Sequence, residues 1–183
     1  MKYLIASDIH GSYYYGKLII DMFNKHNCDK MILLGDILYH GPRNDLPKEY
    51  DPKQLYELLN QYADKIICVK GNCDADIDQM VLNFPILAPY IMMEVSGKTV
   101  YFTHGDVFNS TNLPPMNKDD ILVHGHTHVQ RCEKHPDHIY LNPGSIAIPK
   151  EDSYHGFMIL ENGFFKYMDE NGVITSEFSI FCV

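Results

Sequence analysis

The stretch 121-ILVHGHTHVQ-130 sets the problem of this chain: an apolar run ends in three histidines, His124, His126 and His128. Alternate residues of a strand share one face. The spacing therefore describes either a polar stripe on a surface strand or a set of ligand donors at a strand's end. The rest of the sequence separates the two readings.

The same junction recurs along the chain. The first strand is predicted at 2-KYLIAS-7, the second at 30-KMILLG-35 and the third at 65-KIICVKG-71, all continuous apolar runs suited to burial on both faces. Between them lie two helices. One is capped by Ser12 and runs to about residue 26. The other, over 52–62, starts at Asp51-Pro52 with Leu55, Leu58 and Leu59 on one face. This βαβαβ order implies parallel pairing. Later strands are expected at 90–96, 98–105, 121–125, 138–142, 156–161, 164–169 and 174–181. Ser96-Gly97, Asn162-Gly163 and Asn171-Gly172 are hairpin signals, so the second half is expected to be largely antiparallel. Polar 106–120 reads as a long loop, and 142-NPGS-145 as a turn. Met92 and Met93 read as core, His26, His135, His138 and His155 as surface, and acidic 74-DADID-78 as a solvated helix start.

The strand ends carry the chemistry. The junctions are 7-SDIHG-11, 35-GDILYHGPRN-44, 71-GNCDAD-76, 103-THGD-106 and 124-HGHTH-128. All bring Asp, His or Asn to a strand end, where ligands bind in open α/β sheets. Asp8 and His10 are two apart, as are His126 and His128, so each pair can point one way. The Asp36 carboxylate has two oxygens and can bridge two cations. Asn72 adds an amide oxygen and His104 a nitrogen. Mixed nitrogen and oxygen donors suit Mn, Fe, Zn or Co better than Ca or a thiolate-held structural Zn.

Bulk properties bound the rest. The 183 residues suit one domain, 1–183, and 45% hydrophobic with 21% charged residues is ordinary globular composition. A net charge of −9 argues against general nucleic-acid binding, which needs clustered Lys and Arg. The five cysteines are scattered with no C-x-x-C, as expected of reduced thiols in a cytoplasmic protein. No apolar run approaches the length of a membrane span.

In this order, D-x-H, G-D, G-N, T-H-G and G-H-T-H over residues 8–128 resemble the calcineurin-like metallophosphoesterase superfamily. The wording of 36-DILYHGPRN-44, 71-GNCDADIDQM-80 and 142-NPGSIAIPK-150 is most similar to its small bacterial YfcE-type phosphodiesterase branch. The resemblance implies a four-layer α/β/β/α sandwich of two mixed sheets. It implies two divalent metal ions, with Mn first and Zn, Fe, Co or Ni as alternatives. One would be held by Asp8, His10, Asp36 and His128, the other by Asp36, Asn72, His104 and His126. A hydroxide shared by such ions attacks phosphorus in line. The expected substrate is a small phosphodiester, met by Asn72, His40 and Arg43; a homo-oligomer is compatible with the resemblance.

Two departures temper the reading. Cys73 stands where many members carry a histidine that protonates the leaving group, and a thiol with a pKa of about 8.5 is a poor general acid. Asp106 stands where relatives often have a second histidine, and reads as an orienting group or as chemically idle. His124 lies outside the motif and reads as a strand histidine. The rival readings are a non-catalytic interaction scaffold on the same fold, a nuclease and a phosphomonoesterase. An intact ligand set argues against the first, the acidic surface against the second, and Cys73 against the third.

Overall fold

The computed structural model of the protein describes residues 1–182. Two mixed β-sheets pack face to face. In the first, the order is β11 (Ile174–Ser179), β10 (Phe164–Asp169), β9 (Gly156–Glu161), β1 (Lys2–Ala6), β2 (Lys30–Leu33) and β3 (Ile66–Cys68). The strands β1, β2 and β3 are parallel, while β9 joins β1 antiparallel. In the second sheet the order is β4 (Ile91–Val95), β5 (Lys98–Thr103), β6 (Asp120–His124), β8 (His138–Pro143) and β7 (Gln130–Lys134).

The second half is antiparallel, as expected, at β4–β5, β7–β8, β9–β10 and β10–β11, but β5, β6 and β8 are parallel to one another. The cause is connectivity. Residues 104–119 form a crossover rather than a hairpin, and β7 sits beyond β8 at the edge. Strand β7 is largely exposed and charged, so no apolar alternation announces it. The hairpin signals hold at Ser96-Gly97 and Asn162-Gly163, where both residues have positive φ as a type I′ turn requires.

Strand pleating divides the core. Leu4, Ala6, Met31 and Leu33 face the helices α1 (Tyr13–Lys25) and α2 (Pro52–Asn60). Their neighbours Ile5, Ile32 and Leu34 face Val100, Phe102, Val123 and Leu141 of the other sheet. Ser12 caps α1 by accepting the Tyr15 N–H, and Asp51 caps α2 by accepting the Gln54 N–H. Gly16 lets the helices meet, since a Cβ there would strike Leu55. Both α-helices lie on the first sheet. The far face of the second is covered by the 104–119 loop, whose Pro115 carbonyl accepts the Tyr101 hydroxyl at 2.8 Å.

Other assignments shift. Met92 is 61% exposed on the edge strand β4 rather than core, while Met93 packs on the core. His138 is buried, stacked on His135 and bonded to Asp137, because β8 is covered on both faces. No helix among the described residues is long and apolar enough to cross a membrane.

The consequence that positions the site is that β1, β2, β3, β5 and β6 bring their carboxyl ends to one rim of the sandwich. Phe102, fully buried between the sheets one residue before the T-H-G junction, holds them in register. Replacing Phe102 by Ala should cost about 3–5 kcal/mol, read as a lower urea midpoint. An unchanged midpoint would mean that the sheets are not packed through this residue.

Candidate metal centre

Each motif loop turns sharply as it leaves its strand. Asp8, His10, Asp36, His126 and His128 all have positive φ, between 51° and 65°. Such conformations cost a non-glycine residue on the order of 1 kcal/mol or more and persist only where surrounding contacts impose them. Those contacts are specific. The Asp8 carboxylate accepts the Ser7 hydroxyl at 2.6 Å and the His126 N–H at 3.0 Å. The backbones of Asp8 and His10 donate to Gly35 and Asp36 carbonyls. Gly71 passes so close to Asp36 that any Cβ would collide with its carboxylate and backbone nitrogen.

All seven residues of the proposed ligand set meet here, in two groups. Asp8 Oδ1 lies 3.3 Å from His128 Nε2 and 3.6 Å from His10 Nε2, and His10 Nε2 lies 3.7 Å from Asp36 Oδ2. On the other side, His104 Nε2 lies 3.5 Å from Asp36 Oδ1, 3.0 Å from Asn72 Oδ1 and 3.2 Å from His126 Nδ1. Asp36 thus offers one oxygen to each group. Ligand atoms of Asp8, His10 and His128 converge closely enough to hold one ion, as do those of Asp8, Asp36 and His104.

The donor chemistry tests whether cations fit. His10 Nδ1–H donates to the Tyr39 carbonyl at 2.8 Å, His104 Nδ1–H to Leu34 at 2.7 Å, and His128 Nδ1–H to Ile148 at 2.7 Å. Each neutral ring therefore turns a bare Nε2 lone pair inward. The His10 and His128 Nε2 atoms face each other at 3.1 Å. His104 Nε2 faces the Asn72 amide oxygen, another acceptor. Asp8 Oδ1 is buried with no hydrogen-bond partner among the described residues. Acceptors facing acceptors are repulsive unless a proton or cation lies between them. Two nitrogens about 2.1 Å from one ion, at tetrahedral or octahedral angles, stand about 3.0–3.4 Å apart, as these do. The residues fit metal ions.

Without metal, protons take the cations' place. Burial disfavours charge on His10 and His104, but the Asp8 and Asp36 carboxylates outweigh it and raise both above the ordinary histidine value. Burial likewise opposes charge on Asp8, yet His10 and His128 hold it well below the usual carboxylate range. His126 is lowered, by burial and then by His104. Burial followed by the Asp36 carboxylate pushes the Cys73 thiol up to about 12, so it is a neutral thiol at physiological pH.

Several residues beneath the centre escape motif reading. Asp74 is buried, and its carboxylate accepts the N–H groups of Asp36, Ile37 and Gly71, each at 2.8 Å. It ties the second and third strand loops together, so the solvated reading of 74–78 fails at Asp74, while residues 75–77 are exposed and a short 3-10 helix, Asp76–Met80, starts there as expected. The N-P-G-S turn is a clamp as well as a turn. Asn142 donates to Gly125 O and Thr127 Oγ1, and Ser145 donates to the Asp8 carbonyl at 2.8 Å. Apart from the Gly71–Asp74 bond within one loop, no short-range signal marks these bonds, because they join segments far apart in sequence.

Above the centre lies a cleft of about 330 Å³, lined by Asn72, Cys73, His126 and His128 and by the exposed cations Arg43 and Lys150. Lys150 closes the stretch 142-NPGSIAIPK-150 but is not among the expected site residues. Its N–H donates to the His128 carbonyl, which fixes its stem beside a ligand loop. His40 is not among the residues lining the cleft; its ring packs edge-on against Tyr39 and Tyr50. His124 stacks on Tyr140, and burial lowers its pKa to about 4.

Comparison with known proteins agrees with this geometry. The calcineurin-like phosphoesterase superfamily domain matches residues 1–163. This chain belongs to that superfamily. Among its curated members, phosphodiesterase YfcE of Escherichia coli K12 is 42% identical over 162 residues, 88% of each chain. The probable metallophosphoesterase MJ0623 of Methanocaldococcus jannaschii is 28% identical over 141 residues, 73% of this chain and 60% of that one. The solved structure of YfcE, a phosphoesterase from E. coli, superposes with a TM-score of 0.94 at 39% identity, covering 98% of this chain and 100% of that one. Vps29 of Entamoeba histolytica, solved complexed with zinc, has a similar fold, at a TM-score of 0.63 and 18% identity, with 98% of this chain and 99% of that one covered.

Metal ligands must be deprotonated, so ions entering this centre displace the protons held on His10 and His104. Their raised values stabilise the metal-free fold below pH of about 6.5, and that contribution is lost as pH rises through them. Calorimetric Mn²⁺ titrations in buffers of different ionisation heat should show proton release that grows as pH falls from 8 to 6. Uptake with no proton release at the acidic end would contradict the assignment.

Proposed function

We propose that this protein hydrolyses small phosphodiesters at a dinuclear metal centre. The reading rests on one observation above all: seven oxygen and nitrogen donors converge in two groups sharing Asp36, with their lone pairs turned inward. Two divalent ions would supply a water of lowered pKa and neutralise charge on the phosphoryl oxygens. Asp8, His10, Asp36 and His128 would hold one, and Asp36, Asn72, His104 and His126 the other.

The reaction adds the oxygen of water to phosphorus and breaks one ester P–O bond. The departing alcohol takes a proton, leaving a monoester. The chain's part is positioning and electrostatics. Arg43 and Lys150 give the cleft of an acidic protein a cationic wall that attracts the diester anion, and the Arg43 guanidinium suits two phosphoryl oxygens at once. The backbone carbonyls of Tyr39, Leu34 and Ile148 keep three histidine protons away from the centre. Cys73, a neutral thiol, is a weak proton donor, so esters whose leaving groups need little protonation are favoured. Manganese is the metal we propose for assay. YfcE is named a phosphodiesterase, and its likeness to this chain supports the choice of diester over monoester.

The test compares bis-p-nitrophenyl phosphate with p-nitrophenyl phosphate, with and without Mn²⁺. The diester should be cleaved faster, and only with metal. Loss of an outer partner of a metal ligand already costs about 10–100-fold, so Asp36→Asn should lower the rate by roughly 100-fold or more. Equal cleavage by Asp36→Asn, or activity without metal, would refute the reading.

A further inference from the structure

A second cavity, of about 470 Å³, opens beside the metal cleft and shares His126 with it. Its other walls come from the 104–119 loop and the strand ends of the second sheet. Building on the phosphodiesterase reading, we infer that this cavity receives the hydroxyl-bearing alcohol arm of the substrate, a glycerol-like or sugar-like polyol esterified to the scissile phosphate.

The lining argues for that chemistry. The Asp106 carboxylate and the Ser110 hydroxyl have no hydrogen-bond partner among the described residues, and both line the space. Thr127 Oγ1 already accepts from Asn142 Nδ2 and the Val129 N–H, which leaves its own proton to donate. Acceptors, a free hydroxyl and a donor together match an alcohol group, which both donates and accepts. A second anion is disfavoured. Asp106 and Glu151 stand on the wall, and the local cation Arg131 is engaged by Glu151 at 2.9 Å and Glu133 at 3.5 Å. The cations Arg43 and Lys150, without an ion-pair partner among the described residues, lie on the other side of His126, in the metal cleft. The two spaces thus divide the substrate: the phosphate belongs to the cationic side, the polyol to the hydroxyl-lined side. A volume of this size suits a small organic group.

The experiment uses two diesters that differ only in hydroxyls, 2,3-dihydroxypropyl p-nitrophenyl phosphate and propyl p-nitrophenyl phosphate, with the Mn²⁺-loaded protein. Two hydrogen bonds should favour the dihydroxypropyl ester roughly tenfold in kcat/KM. Ser110→Trp and Thr111→Trp, which fill the cavity away from the metal ligands, should bring the two esters to equal kcat/KM. Equal kcat/KM for the two esters, or a preference that survives both tryptophans, would overturn the inference. If neither these esters nor bis-p-nitrophenyl phosphate is cleaved, the proposed reaction fails, and binding decides the subsite. Amide shifts of Ser110, Thr111 and Thr127 should then respond to 2,3-dihydroxypropyl methylphosphonate and not to propyl methylphosphonate. Equal responses would likewise overturn it.

Discussion

The Nε2 atoms of His10 and His128 stand 3.1 Å apart, and the other nitrogen of each ring already gives its proton to a backbone carbonyl. Two lone pairs brought together in a buried place are stable only around positive charge. His104 against Asn72, and the partnerless Asp8 Oδ1, repeat the condition. The architecture answers to this requirement. Strained positive-φ turns at five of the seven donors, glycine at the closest backbone approach, and Asp74 beneath the second and third loops all aim acceptors at one space. Such an arrangement opposes folding in isolation and becomes favourable when cations bind, so stability and function here are linked through the same atoms.

The donors themselves were legible in the sequence because each lies directly after an apolar strand. Asp8-x-His10 and His126-x-His128 carry the two-residue spacing of a strand end, and a run of five such junctions is hard to produce by chance. The supporting residues lay beyond such reading. Asp74 resembles a solvated acid in sequence, since its three N–H partners come from two separate loops. Asn142 and Ser145 resemble an ordinary turn, although they bind the β6 loop and the Asp8 carbonyl. The parallel alignment of β5, β6 and β8 was hidden for a similar reason. Hairpin signals are local, whereas a crossover declares itself only through pairing. His40 lies near a motif in sequence, and the fold packs its ring against Tyr39 and Tyr50.

Charge is distributed as unevenly as strain. A chain of net charge −9 places two exposed cations, Arg43 and Lys150, on the wall of the metal cleft. Across His126 the wall becomes hydroxylic and acidic. A diester is asymmetric in the same sense, with one charged phosphate between neutral arms. Cys73, raised to about 12, adds no charge and little acidity beside the centre. Selectivity is thus placed in positioning and in the leaving group rather than in a strong general acid.

The proposed chemistry requires two cations sharing Asp36. Anomalous diffraction at the manganese edge, from crystals grown with Mn²⁺, measures that directly. Two peaks about 3.5–4 Å apart are expected, one among Asp8, His10 and His128 and one among Asn72, His104 and His126, with the Asp36 carboxylate between them. A single peak, or none at these residues, would contradict the shared centre.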